Sequence, residues 1–360
     1  MKHSRSGFTL VELLVAMAVT IFILMILAQA FALGTDLFRG MKAVGDLNAS
    51  LRTATNMIRS DLSAKHFEGE RRLSDSKFYD LPNNGPPQHG YFFLYLPPAG
   101  GDEPPDPDSL PSRRRVGHVI AGTARARGNR QQDYYTALDP AGKFANFGNP
   151  DARMQQPGTF SSQWIEFCYF LSPVQDFNNS AGGTPLFALY RQQRLVVADV
   201  DQLNWGAGKI STALQNAYAD KVSCKPNPNA PGFLYFNSPA DLTMLERRTA
   251  GTFPVGGAPV FTPLATGEDL LLTDVLSFDV QVLFSNNTPA DTVQSQFRDL
   301  TAPAYRFDTW SQRVDDIKDY SALPNPFSIA PRRILALQIT LRVWDAKSKT
   351  TRQITMIQDM

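Results

Sequence analysis

Glu12 is the residue whose position most needs a chemical reason. It stands in GFTLVELLVAMAVTIFILMILAQAFALGT, residues 7–35, where no other charged residue occurs. An acidic side chain at the centre of a membrane helix costs about 2.5–3.5 kcal/mol on insertion scales, so the carboxylate calls for a partner. The other reactive groups are scattered. Among the 4 histidines, His3 lies in the basic N-terminal segment, and His66, His89 and His118 follow no metal-ligand spacing. Asp102, Glu103, Asp106 and Asp108 cluster in GDEPPDPDSL. They are calcium candidates by composition, but their spacing fits no EF-hand, and a solvated acidic loop is the simpler expectation. Arg113, Arg114 and Arg115 open a basic stretch continued by Arg125, Arg127 and Arg130, suited to phosphates or to a partner's acidic patch. No aromatic residues interleave with them as in a single-strand binding platform, and a solvated loop is the default. The chain has no G-x-S-x-G elbow and no P-loop spacing, so neither an enzyme nor a cofactor is expected.

The arrangement G-F-T-L-V-E followed by an apolar helix resembles the cleavage and methylation motif of type IV prepilins and type II secretion pseudopilins. The resemblance implies a cut between Gly7 and Phe8 by prepilin peptidase and methylation of the new Phe8 amine. It also implies a role for Glu12 in assembly. A secretory signal peptide is cut after its apolar core; here the cut would precede the core, which then stays in the mature protein. A plain signal anchor would leave Glu12 unexplained. LRTATNMIRSDL, then LLLTDVLSFDVQVLF and PRRILALQITLRVWD, resemble J-type minor pseudopilins. A narrower resemblance is to the Verru_Chthon cassette proteins, the C member in particular.

These groups must be positioned by a long helix and a sheet. From Leu13 to Thr35 the uncharged run would make a helix roughly 35 Å long, enough to span a bilayer core. Leu37, Met41, Val44, Leu47, Leu51, Ala54, Ile58 and Leu62 then recur at helical spacing, with Arg39, Lys42, Asp46, Arg52, Arg59 and Asp61 on the expected solvated face. The spacing predicts strands over Tyr91 to Leu96 and in QWIEFCYFL. It predicts two strands around a polar turn in PLFALYRQQRLVVADV, and another strand from Gly232 to Asn237. Leu276, Phe278, Val280, Val282 and Phe284 alternate with polar residues, as do Leu335, Leu337, Ile339, Leu341 and Val343. The expected fold is α+β, a long N-terminal helix packed on an antiparallel β-sheet with long loop insertions. The expected divisions are a leader over 1–7, a transmembrane helix over 8–35 and an amphipathic continuation over 36–66. A Pro/Gly/Arg-rich insertion with one short strand comes next over 67–162, then the sheet domain over 163–360.

Of the 360 residues 43% are hydrophobic, enough for a packed core, while 26 Pro and 24 Gly imply many loops. Loss of Lys2 and Arg5 with the leader turns the formal charge from +1 to −1, which argues against a nucleic-acid binder. The same two residues orient the N-terminus to the cytoplasm and export the chain beyond Thr35. Export would permit a disulfide between Cys168 and Cys224; otherwise they are a buried strand thiol and a loop thiol. The expected protein is a minor structural subunit of a pilus-like or secretion filament in the bacterial inner membrane. Its expected partners are prepilin peptidase and other pilin or pseudopilin subunits. A filament-displayed adhesin or DNA-binding pilin is the alternative, and a tethered exported hydrolase the least favoured.

Overall fold

The computed structural model describes residues 9–75, 78, 87–97, 114–128, 130, 133–138, 159–173, 180–181, 184–197, 210–211, 221–226, 233–248, 268–286, 296–300, 305–309, 332–346 and 349–360. One helix, α1, runs unbroken for 54 residues from Leu10 to Ser63. No proline interrupts it, and its glycines at 34, 40 and 45 are tolerated at the modest cost of a glycine in a helix interior.

No residue of α1 before Leu51 is buried. Leu51, Ala54, Thr55, Ile58, Asp61 and Leu62 are buried, and Leu47 packs half-buried at the margin. The stripe expected to be covered from Leu37 is therefore covered only along its distal part, since Leu37 and Met41 stay exposed. Leu51, Ile58 and Leu62 each contribute about 1.5–3 kcal/mol by leaving water. The chain turns out of the helix at Ala64, where the His66 ring nitrogens face the carbonyls of Leu62 at 3.2 Å and Thr123 at 2.7 Å.

After α1 come β1 (Phe92–Tyr95), β2 (Val119–Arg125), β3 (Tyr135–Leu138), β4 (Thr159–Ser162) and β5 (Trp164–Pro173). Next are β6 (Ser180–Ala181), β7 (Thr184–Pro185), β8 (Phe187–Val196), β9 (Ile210–Ser211), β10 (Cys224–Pro226) and β11 (Phe233–Phe236). The last are β12 (Glu268–Asn286), β13 (Arg306–Asp308), β14 (Arg332–Asp345) and β15 (Thr350–Asp359). Eight of them form one antiparallel sheet in the order β13-β1-β2-β5-β8-β12-β14-β15. The helix lies on one face, against β12, β14 and β15. The fold is thus α+β, with a long helix on a large antiparallel sheet.

Several local expectations change. The segment 67–162 supplies β1 and β2 to the sheet. The polar Arg191-Gln192-Gln193-Arg194 run is the middle of a single ten-residue strand, β8, rather than a turn. Its side chains are polar on both faces because each face offers polar partners, so composition alone misleads there. In β12 a register shift between Val275 and Ser277 turns Leu276 away from the main core to pack with Leu186 and Trp344. A second shift opposite Leu283 and Phe284 puts Ile334 into the core and leaves Leu335 half-buried. A bulge reverses the facing of the residues beyond it.

The other face of the sheet is covered as well around β1, β2 and β5. Tyr91, Phe93, Val119, Ala121, Trp164, Cys168 and Phe170 pack there with Leu242, from two short 3₁₀ turns at Asp241–Thr243 and Leu245–Arg247. Eight consecutive residues of β5, Trp164 to Leu171, are buried, as expected of a strand covered on both sides. A polar network lies under this second layer. Tyr91 donates to Glu166 at 3.0 Å, Ser223 donates to Glu166 at 2.7 Å, and Arg248 pairs with Asp308 at 2.7 and 3.0 Å. The Arg248 guanidinium also lies 4.0 Å from the centre of the Tyr91 ring. Gly90, at φ +84°, brings the chain into β1 so close to His66 that a Cβ would sit 2.1 Å from the His66 carbonyl oxygen.

His118 joins the approach to β2 with β12. Its Nδ1 accepts from the Val280 N–H at 3.0 Å and its Nε2 donates to the Pro97 carbonyl at 2.9 Å, which fixes a neutral imidazole. Burial, aided by the nearby Arg115 charge, holds its pKa down at about 4, and burial also lowers that of His66. Both histidines therefore take up protons in the unfolded chain before they do so in the folded one. Stability should fall as pH drops below the ordinary histidine value of 6.5, and His118's share should level off near 4. That share is roughly 3 kcal/mol. Thermal unfolding in detergent between pH 7.5 and 4.5 should show the decline, and His118→Asn should flatten part of it. A variant keeping the full wild-type slope would exclude His118 as a source.

Candidate functional site

The candidate site is α1 itself, from its first turn to its seat on the sheet. Thr9 caps the helix: its side-chain oxygen accepts from the Glu12 N–H at 3.3 Å. Glu12 returns the contact through Oε2, which accepts from the Thr9 N–H at 2.9 Å and the Thr9 hydroxyl at 3.0 Å. This reciprocal capping box satisfies two helix-end donors and places the carboxylate at the positive end of the helix. Beyond it, Leu14, Ile21, Phe22, Leu24 and Leu27 are each about 60% exposed, part of an apolar surface that no described residue of the chain covers. α1 is long and apolar enough to cross a membrane.

The other end of the site is an ion pair. Asp61 lies on the sheet side of α1, 3% exposed, and takes the Arg191 guanidinium side-on at 2.8 and 2.9 Å. The Tyr169 hydroxyl adds a third bond to Asp61 at 2.6 Å. Arg191 and Tyr169 are register partners on β8 and β5, so two neighbouring strands hold one carboxylate. Arg191 also reaches Asp269 at 3.1 Å, at the start of β12. The adjacent Asp61 bond and charge hold the Arg191 pKa above its ordinary value, against its burial. Burial, with Asp61 beside it, likewise drives the Tyr169 hydroxyl upward and keeps it protonated as a donor. Helical spacing alone puts Asp61 on the solvated face; in the structure it is the residue that seats the helix.

The sequence-predicted residues fare differently. Glu12 sits in the first turn of α1. Gly7 and Phe8, Arg113, and the acidic group Asp102, Glu103, Asp106 and Asp108 lie outside the described residues. Arg114 and Arg115 are engaged within the fold rather than held in a solvated loop. Arg114 is 3% exposed, and its guanidinium donates to the carbonyls of Leu276 at 3.1 Å and Pro185 at 2.8 Å. Arg115 pairs with Asp299 at 2.8 Å, and its backbone carbonyl accepts from the Phe278 N–H at 2.8 Å. The second half of β12 has a backbone edge beyond the reach of β8, and the segment 114–118 covers it. Cys168 and Cys224 are buried thiols in two different apolar clusters, and no disulfide joins them. Cys168 packs with Trp164 and Phe170, whereas Cys224 belongs to the main core, so the bridge that export would permit is not formed. Arg191, Tyr169 and the buried Glu166 carry no local sequence signal.

Residues 2–28 match the family model described as the prokaryotic N-terminal methylation motif. The chain is 29% identical over 106 residues to the pilin-like protein PilA3 of Thermus thermophilus. Motif and relative together support the type IV pilin and pseudopilin family. The match to the relative covers 29% of this chain and 40% of the relative's own length. No solved structure matches the chain at a significant level. The N-terminal methylation motif and the exposed apolar helix fit membrane anchoring.

The seat can be tested directly. Asp61→Asn should lower stability by about 3 kcal/mol, because it leaves the largely buried Arg191 to the exposed carboxylate of Asp269. Replacing both partners, as Asp61→Leu with Arg191→Met, should recover much of that loss. Thermal unfolding of the detergent-solubilised protein measures both. An unchanged midpoint in Asp61→Asn would mean that the ion pair does not hold the helix.

Proposed function

We propose that this chain is a structural subunit, minor or initiating, of a type IV pilus-like or type II secretion pseudopilus-like filament. The observation that carries the reading is a lone carboxylate, Glu12, at the head of an exposed apolar helix that carries a methylation motif at its start. Prepilin peptidase cuts between Gly7 and Phe8 and methylates the Phe8 amine. The N-terminus faces the cytoplasm, and the sheet domain is exported, as the basic residues ahead of the helix favour.

Assembly then rests on charge and surface. Both Thr9 bonds go to Glu12 Oε2, which leaves Oε1 to meet the cationic Phe8 amine of a neighbouring subunit. Two charges that are each costly in a membrane offset one another when they meet there. The exposed apolar face of α1 buries against the same face of its neighbours. No proline occurs before Pro82, and α1 is continuous, which suits an unkinked subunit. The adhesive or DNA-binding alternative draws little support from Arg114 and Arg115, whose side chains are engaged within the fold.

Mass spectrometry of protein extracted from membranes should find an N-terminus at methylated Phe8; any other N-terminus would sink the processing step. Glu12→Ala should be processed and inserted normally yet enter filaments at well under a tenth of the wild-type rate, given the cost of an unpaired amine in the membrane. Normal incorporation of that variant, measured by immunogold labelling of sheared filaments, would defeat the pairing.

A further inference from the structure

A basic pocket lies at the far end of α1, where the chain leaves the helix. Glu70, Arg125, Arg127, Gly128 and Gln163 are among its walls, around a volume of about 390 Å³. Lys65 adjoins it through its ion pair with Glu70. Lys65, Arg125 and Arg127 thus gather at one place, where Glu70 is paired to both Lys65 and Arg127.

The basic side of the pocket is built on rigid elements. Arg125 ends β2, and its N–H donates to the Lys65 carbonyl at 2.7 Å. Its guanidinium lies over the ring of Trp164, its register partner on β5, with 5.4 Å between Cζ and the ring centre. Among the described residues, the buried Arg125 Nε–H has no acceptor. The Ala126 N–H donates to the Gln163 carbonyl at 2.8 Å, and Gln163 Nε2 donates to the Gly128 carbonyl at 3.2 Å. Gly128, at φ +129°, brings the turn so close to Asp133 that a Cβ would meet its carboxylate at 2.0 Å. The acidic side is different: the Glu70 side chain is 75% exposed, and its two ion pairs are the kind that water weakens.

We infer that this pocket binds a small oxyanion, either a phosphate or the carboxylate of a soluble organic acid. The oxyanion takes the place of the Glu70 carboxylate on Arg127 and Lys65, beside the Arg125 side chain in the pocket wall. Guanidinium groups suit this task because they present several donors in one plane to a two-oxygen edge. The volume admits a phosphate ester or an acidic monosaccharide. If α1 crosses the membrane up to Thr35, as the proposed function holds, the pocket stands about 45 Å beyond the bilayer. Headgroups of the anchoring membrane are then out of reach, and the ligand is a soluble molecule. The preference for an oxyanion does not depend on that reading.

Calorimetric titration of the full-length protein in uncharged detergent, at low chloride, tests the inference with inorganic phosphate in one arm and glucuronate in the other. Saturable binding in either arm is expected, and the arm that responds identifies the source of the oxyanion. Arg127→Gln, at a half-exposed position, should weaken binding about tenfold without loss of the fold. Glu70→Gln should tighten it severalfold, because the internal competitor is gone. A purely structural role for the cluster would give no tightening. Absence of binding in both arms, for the wild type and for Glu70→Gln, would overturn the inference.

Discussion

The seating of α1 rests on a single carboxylate, Asp61, held by Arg191 and Tyr169 from adjacent strands. Apolar contacts of Leu51, Ile58 and Leu62 supply the bulk of the attraction, but they do not fix where along the helix the sheet sits. Apolar stripes repeat every three to four residues and can slide by a turn with little change in buried area. A buried ion pair with planar, side-on geometry cannot slide without leaving a charge unpaired. Register is thus set by the polar contact and strength by the apolar ones.

The same division of labour recurs on the opposite face of the sheet. There the aromatic cluster around Tyr91, Trp164 and Phe170 provides area. Glu166, Ser223, Arg248 and Asp308 provide directional bonds that tie the 3₁₀ turns and β13 to it. A sheet covered on both faces lets β5 be apolar on alternate sides without a solvent face. That is why eight of its residues in a row are buried.

The features legible in the sequence rest on local chemistry. The helix, its membrane-length apolar half, Glu12 and the alternating strands β12 and β14 all depend on contacts between residues near in the chain or on strict periodicity. The features that escape it depend on distant pairing. Arg191 resembles part of a turn because its partner Asp61 is 130 residues away, and Asp61 resembles a solvated residue for the same reason. Arg114 and Arg115 resemble a basic loop because their acceptors, Leu276 and Asp299, lie more than 160 residues further on. The facing of Leu276 and Leu335 is lost to bulges, which change periodicity by one residue and leave no mark in composition.

The bare span of α1 between Thr35 and Leu47 has a mechanical meaning. It is roughly 18 Å of helix in which no residue is buried and which, on the membrane reading, has no lipid around it. A pull on the anchored end would travel along the hydrogen bonds of this shaft and arrive at the sheet through the few turns that touch it. The load would act nearly parallel to the helix axis, in shear across the seat, where sliding is resisted by Asp61 rather than by oily contact. A head carried in this way is towed by one residue.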